Sequence, residues 1–501
     1  MRKSPLIPLI LVAAMSMTAC GARLDSDTRR AAADGALSND GGSSGDGGTS
    51  VTGSGTDGGA AGAVGGTDGG AAGGAAGGAT GGGAAGGSTA GGAQGGATAG
   101  GGTAASAGGT GGGGAPAPAG GNGGAVDVGV TADSITLGNI SDLSGPVPGL
   151  FQGAVIGTQA YYAKINSEGG IFGRQLKIKV GDGQLDCDQN KTQHRALIPK
   201  TFALVGSFSL YDGCGQAVLK DSPEIPDIHN ALAQNALNLP NNFSVAPLRY
   251  GWRTGPLSYY KKTYGAAFSK IGTIYADAGG GAATWQGCRL AIESLGGKVL
   301  YSRGFSPTDT DFTADIVSMQ RAGVEMIYVI ASDAPTFARL TQAAKQQGVK
   351  WPIIAGGIAY DQGFAPRAGA AAEGVINDQQ FALFFNKDEA SRNPAVAEFQ
   401  KWTDKVAPGE KKDLFAVYGW TSAQLFVQAL RAAGAKAKRA DVMAQLRKIT
   451  KFDGGGLIAP ADPAGKKPPT CWILTKIERG QFKRVDPQSG YRCDGPYFFA
   501  K

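Results

Sequence analysis

Beyond residue 125, short β-branched or apolar runs alternate with stretches in which apolar residues recur at helical spacing. Residues 134–140 open the series as a strand, and residues 142–145 follow as a polar turn. Across 153–167, Val155, Ile156, Ala160 and Ile165 share one helical face, and the pair Gly169 and Gly170 supplies a C-terminal stop. Residues 175–180 predict the next strand, 191–200 a helix, and 203–206 a short buried strand ending at a glycine turn. Further strands are predicted at 225–228, 270–275, 299–305, 325–330 and 352–355, with helical stretches between them, one of them at 283–295. Strand and helix in repeated alternation indicate parallel, doubly wound sheets. Ligands of such sheets sit in crevices at the carboxyl ends of the strands, so the loops that follow the strands are where function is sought.

Composition divides the chain before that pattern begins. Of 501 residues 84 are Gly, and residues 35–124 contain no aromatic residue, Lys or Arg. Such a segment cannot bury a core and reads as a disordered tether. By the square-root rule for Gly-rich coils it spans roughly 50 Å. What remains, from Val126 onward, is too long for one compact core and predicts two lobes. The formal charge of +7 is mild, and no run of Lys or Arg exceeds two, which argues against a nucleic-acid partner. The count of only two His residues, His194 and His229, argues against a His-based metal enzyme, and no metal site is expected. The composition also excludes a multi-span membrane protein.

The first residues carry an address. Arg2 and Lys3 precede an apolar stretch at 6–14, too short for a bilayer span of about 20 residues but of signal-peptide length. It runs into Met17, Thr18, Ala19, Cys20 and Gly21, which resemble a bacterial lipobox with Met17 in place of the usual Leu. Residues 1–19 are therefore assigned to a lipoprotein signal peptide, Cys20 to lipidation, and residues 20–125 to the tether. Two or more acyl chains on Cys20 suffice for stable anchoring, which puts the protein in the bacterial cell envelope, on the outer face of the cytoplasmic membrane or facing the periplasm.

A resemblance emerges from particular residues. The run 140–146 (ISDLSGP), then 163–173 (AKINSEGGIFG) followed by a hydrophobic strand and Asp182, resembles the opening of the type I periplasmic binding proteins, the leucine/isoleucine/valine receptors of ABC importers. Val205 to Ser207, Asp311 and Phe312, 322–325, Ile327 and Tyr328, and 372–375 continue the resemblance in the family's order over most of residues 130–460. It implies an α/β architecture of two Rossmann-like doubly wound lobes joined by a three-segment hinge. The first lobe is placed at 126–246 with 378–450, the second at 247–377 with 451–501, and the crossings near 245–247, 375–379 and 449–460.

The same resemblance implies the site. Ser144 lies in the opening motif, and the loop 207–213 offers Ser207, Phe208, Ser209 and Tyr211 to a ligand, with Asp212 assigned to capping the helix that follows. A helix start is itself a ready anion site. His229 and Asn230 stand in the next loop, where the family usually shows small and hydroxyl residues. In the opposite lobe the expected aromatic after Tyr275 is absent, and Asp277 precedes a run of three glycines. Asp333 reads both as a polar contact and as a helix cap. The Glu that pairs an α-ammonium in leucine-type receptors is missing, and Tyr360 or Asp361 can stand in for it. These departures place the branched-chain amino acids in doubt as ligands and leave the receptor class intact. In an oxidising envelope, Cys187 with Cys214 and Cys471 with Cys493 are the expected disulfides, while Cys288, inside a helix, reads as a buried apolar residue.

The leading expectation is thus an importer's solute-binding lipoprotein for an amino acid or similar small polar organic ligand, with ABC permease subunits as partners. A ligand sensor without transport, or a degenerate structural surface protein, are the alternatives. Walker loop, G-x-S-x-G elbow and H-E-x-x-H are all absent, and neither catalysis nor a cofactor is expected. Paired acids at 186/188 and 309/311 lie in polar turns and read as caps or solvated groups.

Overall fold

The computed structural model describes residues 121–306 and 308–501. The signal peptide, Cys20 and most of the tether lie outside the described residues. Two sheets organise the rest. The first is parallel, in the order β2-β1-β3-β4, from β1 (Ser134–Ser141), β2 (Gln175–Asp182), β3 (Leu204–Val205) and β4 (Asp227–Ile228). After β5 (Gly251–Arg253) come β6 (Ile271–Ala276), β7 (Val299–Phe305), β8 (Met326–Val329), β9 (Ile353–Ala355), β10 (Ile376–Gln379), β11 (Ile473–Glu478) and β12 (Gln481–Asp486). These seven form the second sheet, in the order β12-β11-β10-β9-β8-β6-β7. Its first five strands in the chain are parallel, whereas β11 and β12 add on antiparallel. The last strand, β13 (Tyr497–Phe499), pairs antiparallel with β5. Buried on both faces, β8 reads as an unbroken apolar run, MIYV, as a central parallel strand should.

Small residues decide how closely the helices of the first half pack. The helix Gln152–Ser167 lies against Leu414–Ala433, reaching it across more than two hundred residues of sequence. A Cβ on Gly157 would sit 1.9 Å from the Ala416 carbonyl oxygen, and one on Gly419 would sit 2.1 Å from that of Ala154. The two backbones are in contact, and only glycine allows that approach at both positions. Asp413 starts the second of these helices by accepting from the Ala416 amide at 2.8 Å.

The chain passes between the two sheet systems between β4 and β5, after β10, and again between the helix Arg439–Leu446 and β11. Asp378 and Gln379 are the last residues of β10, so the segment assigned to the first lobe from residue 378 starts inside the second sheet. Residues 121–125 also differ from a free tether. The buried Arg174 guanidinium donates from Nη2 to the carbonyls of Asn122 and Gly124, at 2.6 and 2.7 Å, and so ties this segment to the body. The cysteines form Cys187–Cys214 and Cys471–Cys493, and Cys288 is free and buried. Among the described residues no helix is long and apolar enough to cross a membrane.

Candidate functional site

A cavity of about 200 Å³ lies where the two sheets' strand ends face each other. From the first sheet come Phe208 and Leu210 after β3, and Asn230, Ala231 and Leu232 after β4. From the second come Gly280 after β6, Phe305 at the end of β7, Ile330 to Asp333 after β8, Gly356 to Ile358 after β9, and Gln379 to Phe381 at the end of β10. Every one of these positions is at or just beyond a carboxyl strand end, where parallel topology leaves a crevice. The helix start at Leu414, Phe415 and Tyr418, together with Phe151, Trp252 and Arg253, completes the wall.

The wall is mostly apolar and aromatic. Phe151, Phe208 and Phe415 form a triangle with ring centroids 4.7, 4.7 and 4.8 Å apart. Phe208 also lies parallel to Tyr418 at 6.2 Å. Opposite them, Trp252 donates its indole N–H to the Tyr328 hydroxyl at 3.1 Å, which fixes its ring. Arg253 is buried and pairs through Nη2 with Asp378, whose other oxygen accepts from Tyr260 at 2.8 Å and Tyr328 at 3.2 Å. A buried ion pair is held only when its remaining lone pairs are satisfied, and the two tyrosines do this for the carboxylate.

Of the residues singled out in the sequence, Phe208, Asn230 and Asp333 line the cavity. Asp333 at the same time caps the helix Ala334–Gln346, accepting from the Thr336 amide at 2.7 Å. The others take different places. Ser144 bonds Asp182, and the Ser207 hydroxyl accepts from the Ile140 amide at 2.9 Å. Ser209 donates to Asp142 at 3.1 Å, and Asp142 also accepts from the Leu210 amide at 3.0 Å, so the loop is held from behind. Burial pushes the Asp142 carboxyl up to about 6 despite these bonds. Tyr211 precedes the helix Asp212–Lys220 as its cap residue, away from the cavity wall. Asp212 does not cap that helix: its carboxylate accepts from the Leu232 and Ala233 amides and so pins the neighbouring wall loop.

His229 is turned into the protein. Its Nδ1 lies 2.7 Å from Asp227, its Nε2 3.7 Å from Asp212, and Asn242 closes the group. Burial alone would lower its pKa, but the two carboxylates outweigh that and raise it to about 10. Asp277 is exposed beside the wall rather than on it. Tyr360 is fully buried, stacked on Phe385 at 4.1 Å, with its hydroxyl donating to Asn386 at 2.7 Å; neither it nor Asp361 reaches the cavity. An aromatic residue next to a glycine turn serves a core as readily as a site, and here the core of Phe381, Phe384 and Phe482 claims it. Sequence reasoning missed Ile330, Ile358 and Phe381, although the strand-end rule pointed to their loops. Nothing local marked Phe151, Phe415 or Arg253. No group of three or more candidate metal ligands occurs among the described residues.

Comparisons with known proteins agree with this geometry. The sequence model of the family described as periplasmic binding protein matches residues 134–481. The Leu/Ile/Val-binding protein homolog 1 of Brucella suis is 24% identical over 297 residues, 57% of this chain and 76% of that protein. Among solved structures, the fatty acid ABC transporter substrate-binding protein from Thermomonospora curvata is similar with a TM-score of 0.62 and 22% identity, covering 75% of this chain and 95% of that one. A solute-binding protein of R. palustris in complex with 4-hydroxybenzoate gives 0.61 and 20%, over 73% and 98%. The branched-chain amino acid transporter substrate-binding protein LivJ of Streptococcus pneumoniae, in complex with isoleucine, gives 0.56 and 19%, over 71% and 100%. With two doubly wound sheets, a cavity at their facing strand ends and a family match over most of its length, the chain belongs to the periplasmic binding protein family and has its type I fold.

Proposed function

We propose that the protein is an extracytoplasmic solute-binding lipoprotein of an ABC importer, capturing a small organic molecule between two lobes and presenting it to permease subunits. The lobes are residues 126–246 with 380–450, and 247–379 with 451–501, the second crossing following the end of β10, and Cys20 carries the lipid anchor. The observation that carries the reading is the cavity itself, walled by strand ends from both sheets. A ligand that touches both sides stabilises the closed arrangement over an open one by the difference of its contacts, and a partner reads occupancy from shape. The chain binds and releases its solute without chemistry on it. The family match and the similar ABC-transporter binding proteins support the role.

The test starts from the full chain expressed in a bacterial envelope. Mass spectrometry of the denatured protein is expected to identify a released small molecule, and solution scattering to show a smaller radius of gyration with it than without. Equal radii would overturn hinge closure. Uptake of the released compound is expected to fall when the gene is deleted, and unaltered uptake would overturn the importer role. Cys20→Ser is expected to shift the protein from the membrane to the soluble fraction, and its retention in the membrane would overturn the lipid anchor.

A further inference from the structure

We infer that closing of the two lobes over a solute takes up a proton, held where Asp361 of one lobe meets Asp413 of the other, so that capture weakens as the pH rises from acid to neutral. The inference rests on the solute-binding reading above and adds a control to it.

The two acids stand at a contact between the lobes. Asp361 lies in the loop after β9, just beyond Ile358 of the cavity wall, and Asp413 immediately precedes Leu414, which lines the wall from the other side. The two loops are bonded to each other. The Gln362 amide donates to the Lys412 carbonyl at 3.3 Å, and the Lys412 amide donates to the Gln362 Oε1 at 2.7 Å. Each acid is therefore the sequence neighbour of a residue in this bonded pair. Closing makes these bonds and brings the acids together; opening parts them.

The surroundings leave the carboxylates without a counter-charge. Asp413 accepts from the Ala416 amide at 2.8 Å and Asp361 from the Gly363 amide at 2.6 Å. Helix Gln152–Ser167 covers Asp413 with bare backbone, since a Cβ on Gly153 would sit 2.1 Å from its Oδ1, and the first turn of that helix carries no charged residue. Lys411, beside Gly363, and Arg367, on helix Phe364–Ala368, are the cations that face Asp361, and among the described residues neither forms an ion pair with it. Lys412 is committed to Asp404.

The direction follows from these contacts. Burial pushes the Asp413 carboxyl up to about 7, the charge of Asp361 adds to the rise, and burial raises Asp361 as well. Parted and hydrated, an aspartate returns to its ordinary value of about 4. The closed form therefore holds a proton on Asp413 that the open form releases. Closing is favoured fully below about pH 4, and that advantage is lost as pH rises to about 7. Asp142, pushed up to about 6, is a second raised acid near the wall, but its partners Ser209 and Leu210 belong to its own lobe, so closing leaves its surroundings as they are.

The test takes the full chain, stripped of any bound small molecule, and titrates it calorimetrically with the compound that the denatured chain releases. Titrations are run at pH 5.5 and pH 8, each in buffers of different ionisation enthalpy. About one proton is expected to be taken up per solute at pH 5.5 and almost none at pH 8, with affinity about tenfold or more lower at pH 8. Asp413→Asn keeps an oxygen for the Ala416 amide, and Asn caps a helix as well as Asp does. That variant is expected to take up no proton and to bind about tenfold or more tightly than the unaltered chain at pH 8, a gain that a misfolded variant cannot give. No uptake at pH 5.5, or uptake that persists in Asp413→Asn, would overturn the inference while leaving solute binding in place. Hydrogen exchange of the chain as purified, corrected for the intrinsic rate, reads the same contact without added solute. Protection of the Gln362 and Lys412 amides is expected to fall from pH 5.5 to pH 8 and to stay level in Asp413→Asn; equal protection at both pH values in the unaltered chain would overturn the inference. A chain that releases no small molecule would overturn the solute-binding reading, and the proton linkage with it.

Discussion

A side-chain carbon added at Gly279 would lie 1.8 Å from the Leu210 carbonyl oxygen. Gly279 follows β6 of one sheet and Leu210 follows β3 of the other, so this is a backbone-to-backbone contact across the mouth of the cavity. Gly279 also has a φ of +51°, a left-handed conformation that costs other L-residues about 1–2 kcal/mol. The run of three glycines that replaces the family's usual aromatic residue therefore has a physical purpose: it lets the two loops close. Gly279→Ala is expected to hold the loops apart. The predicted outcome is a larger radius of gyration in solution scattering and an affinity for the small molecule released from the denatured chain at least tenfold lower. An unchanged radius and affinity would show that this contact does not limit closure.

His229 sits between two carboxylates, and its stabilising effect depends on pH in a definite direction. Its pKa rises from 6.5 to about 10 on folding, because Asp227 and Asp212 more than offset the cost of burial. The imidazolium therefore contributes fully below about pH 6.5, and the contribution declines as pH rises through about 10. The difference in melting temperature between the unaltered protein and His229→Gln is expected to be largest near pH 6 and to shrink towards pH 10. A difference that grows with pH would mean that His229 is neutral in the folded protein.

Cys187 and Cys214 are 27 residues apart in sequence and join the first turns of the helices Cys187–Leu197 and Asp212–Lys220. On the loop-entropy relation, removing that link costs about 3–4 kcal/mol. The double variant Cys187→Ala/Cys214→Ala is expected to show that loss in a denaturant titration. A loss below about 1 kcal/mol would mean that the unfolded chain is already held compact in this region.

Arg174 is buried without a carboxylate partner among the described residues, and four backbone carbonyls take its charge. Nε donates to Thr131, Nη1 to Ala435, and Nη2 to Asn122 and Gly124, all within 2.7 Å. A lysine presents a single nitrogen and cannot reach all four. Arg174→Lys is expected to cost about 3 kcal/mol, the scale of charge-assisted hydrogen bonds lost from a buried site. It is also expected to speed proteolysis near residues 121–125. Unaltered protection there would show that other contacts hold the segment.

The alternation of strand and helix, and the places where cavity loops begin, were legible because they depend on local periodicity and glycine turns. The strands at 299–305 and 326–329 are read almost residue by residue, the second from its unbroken apolar run MIYV and the first from apolar and aromatic residues at its two ends. The paired cysteines were legible from exported character and family resemblance. Individual side chains at the site were much less so. Ser207, Ser209 and His229 stand in the right loops, yet each faces a partner behind the wall, because a buried hydroxyl or imidazole goes to whichever donor or acceptor the packed sheet places within reach. Tyr360 was drawn into an aromatic core for the same reason.

By itself, then, the sequence determined the alternating α/β elements, the glycine-rich leader region and the family, since each is written in composition or in short-range spacing. Only the tertiary structure decided the character of the cavity. Phe151, Phe208 and Phe415 meet there from three distant parts of the chain, and Asn230 takes its orientation on the wall from Ser244 and Ala246, which bond its oxygen. Packing brings such groups together across long loops, and no local pattern records which of them will end up facing one another.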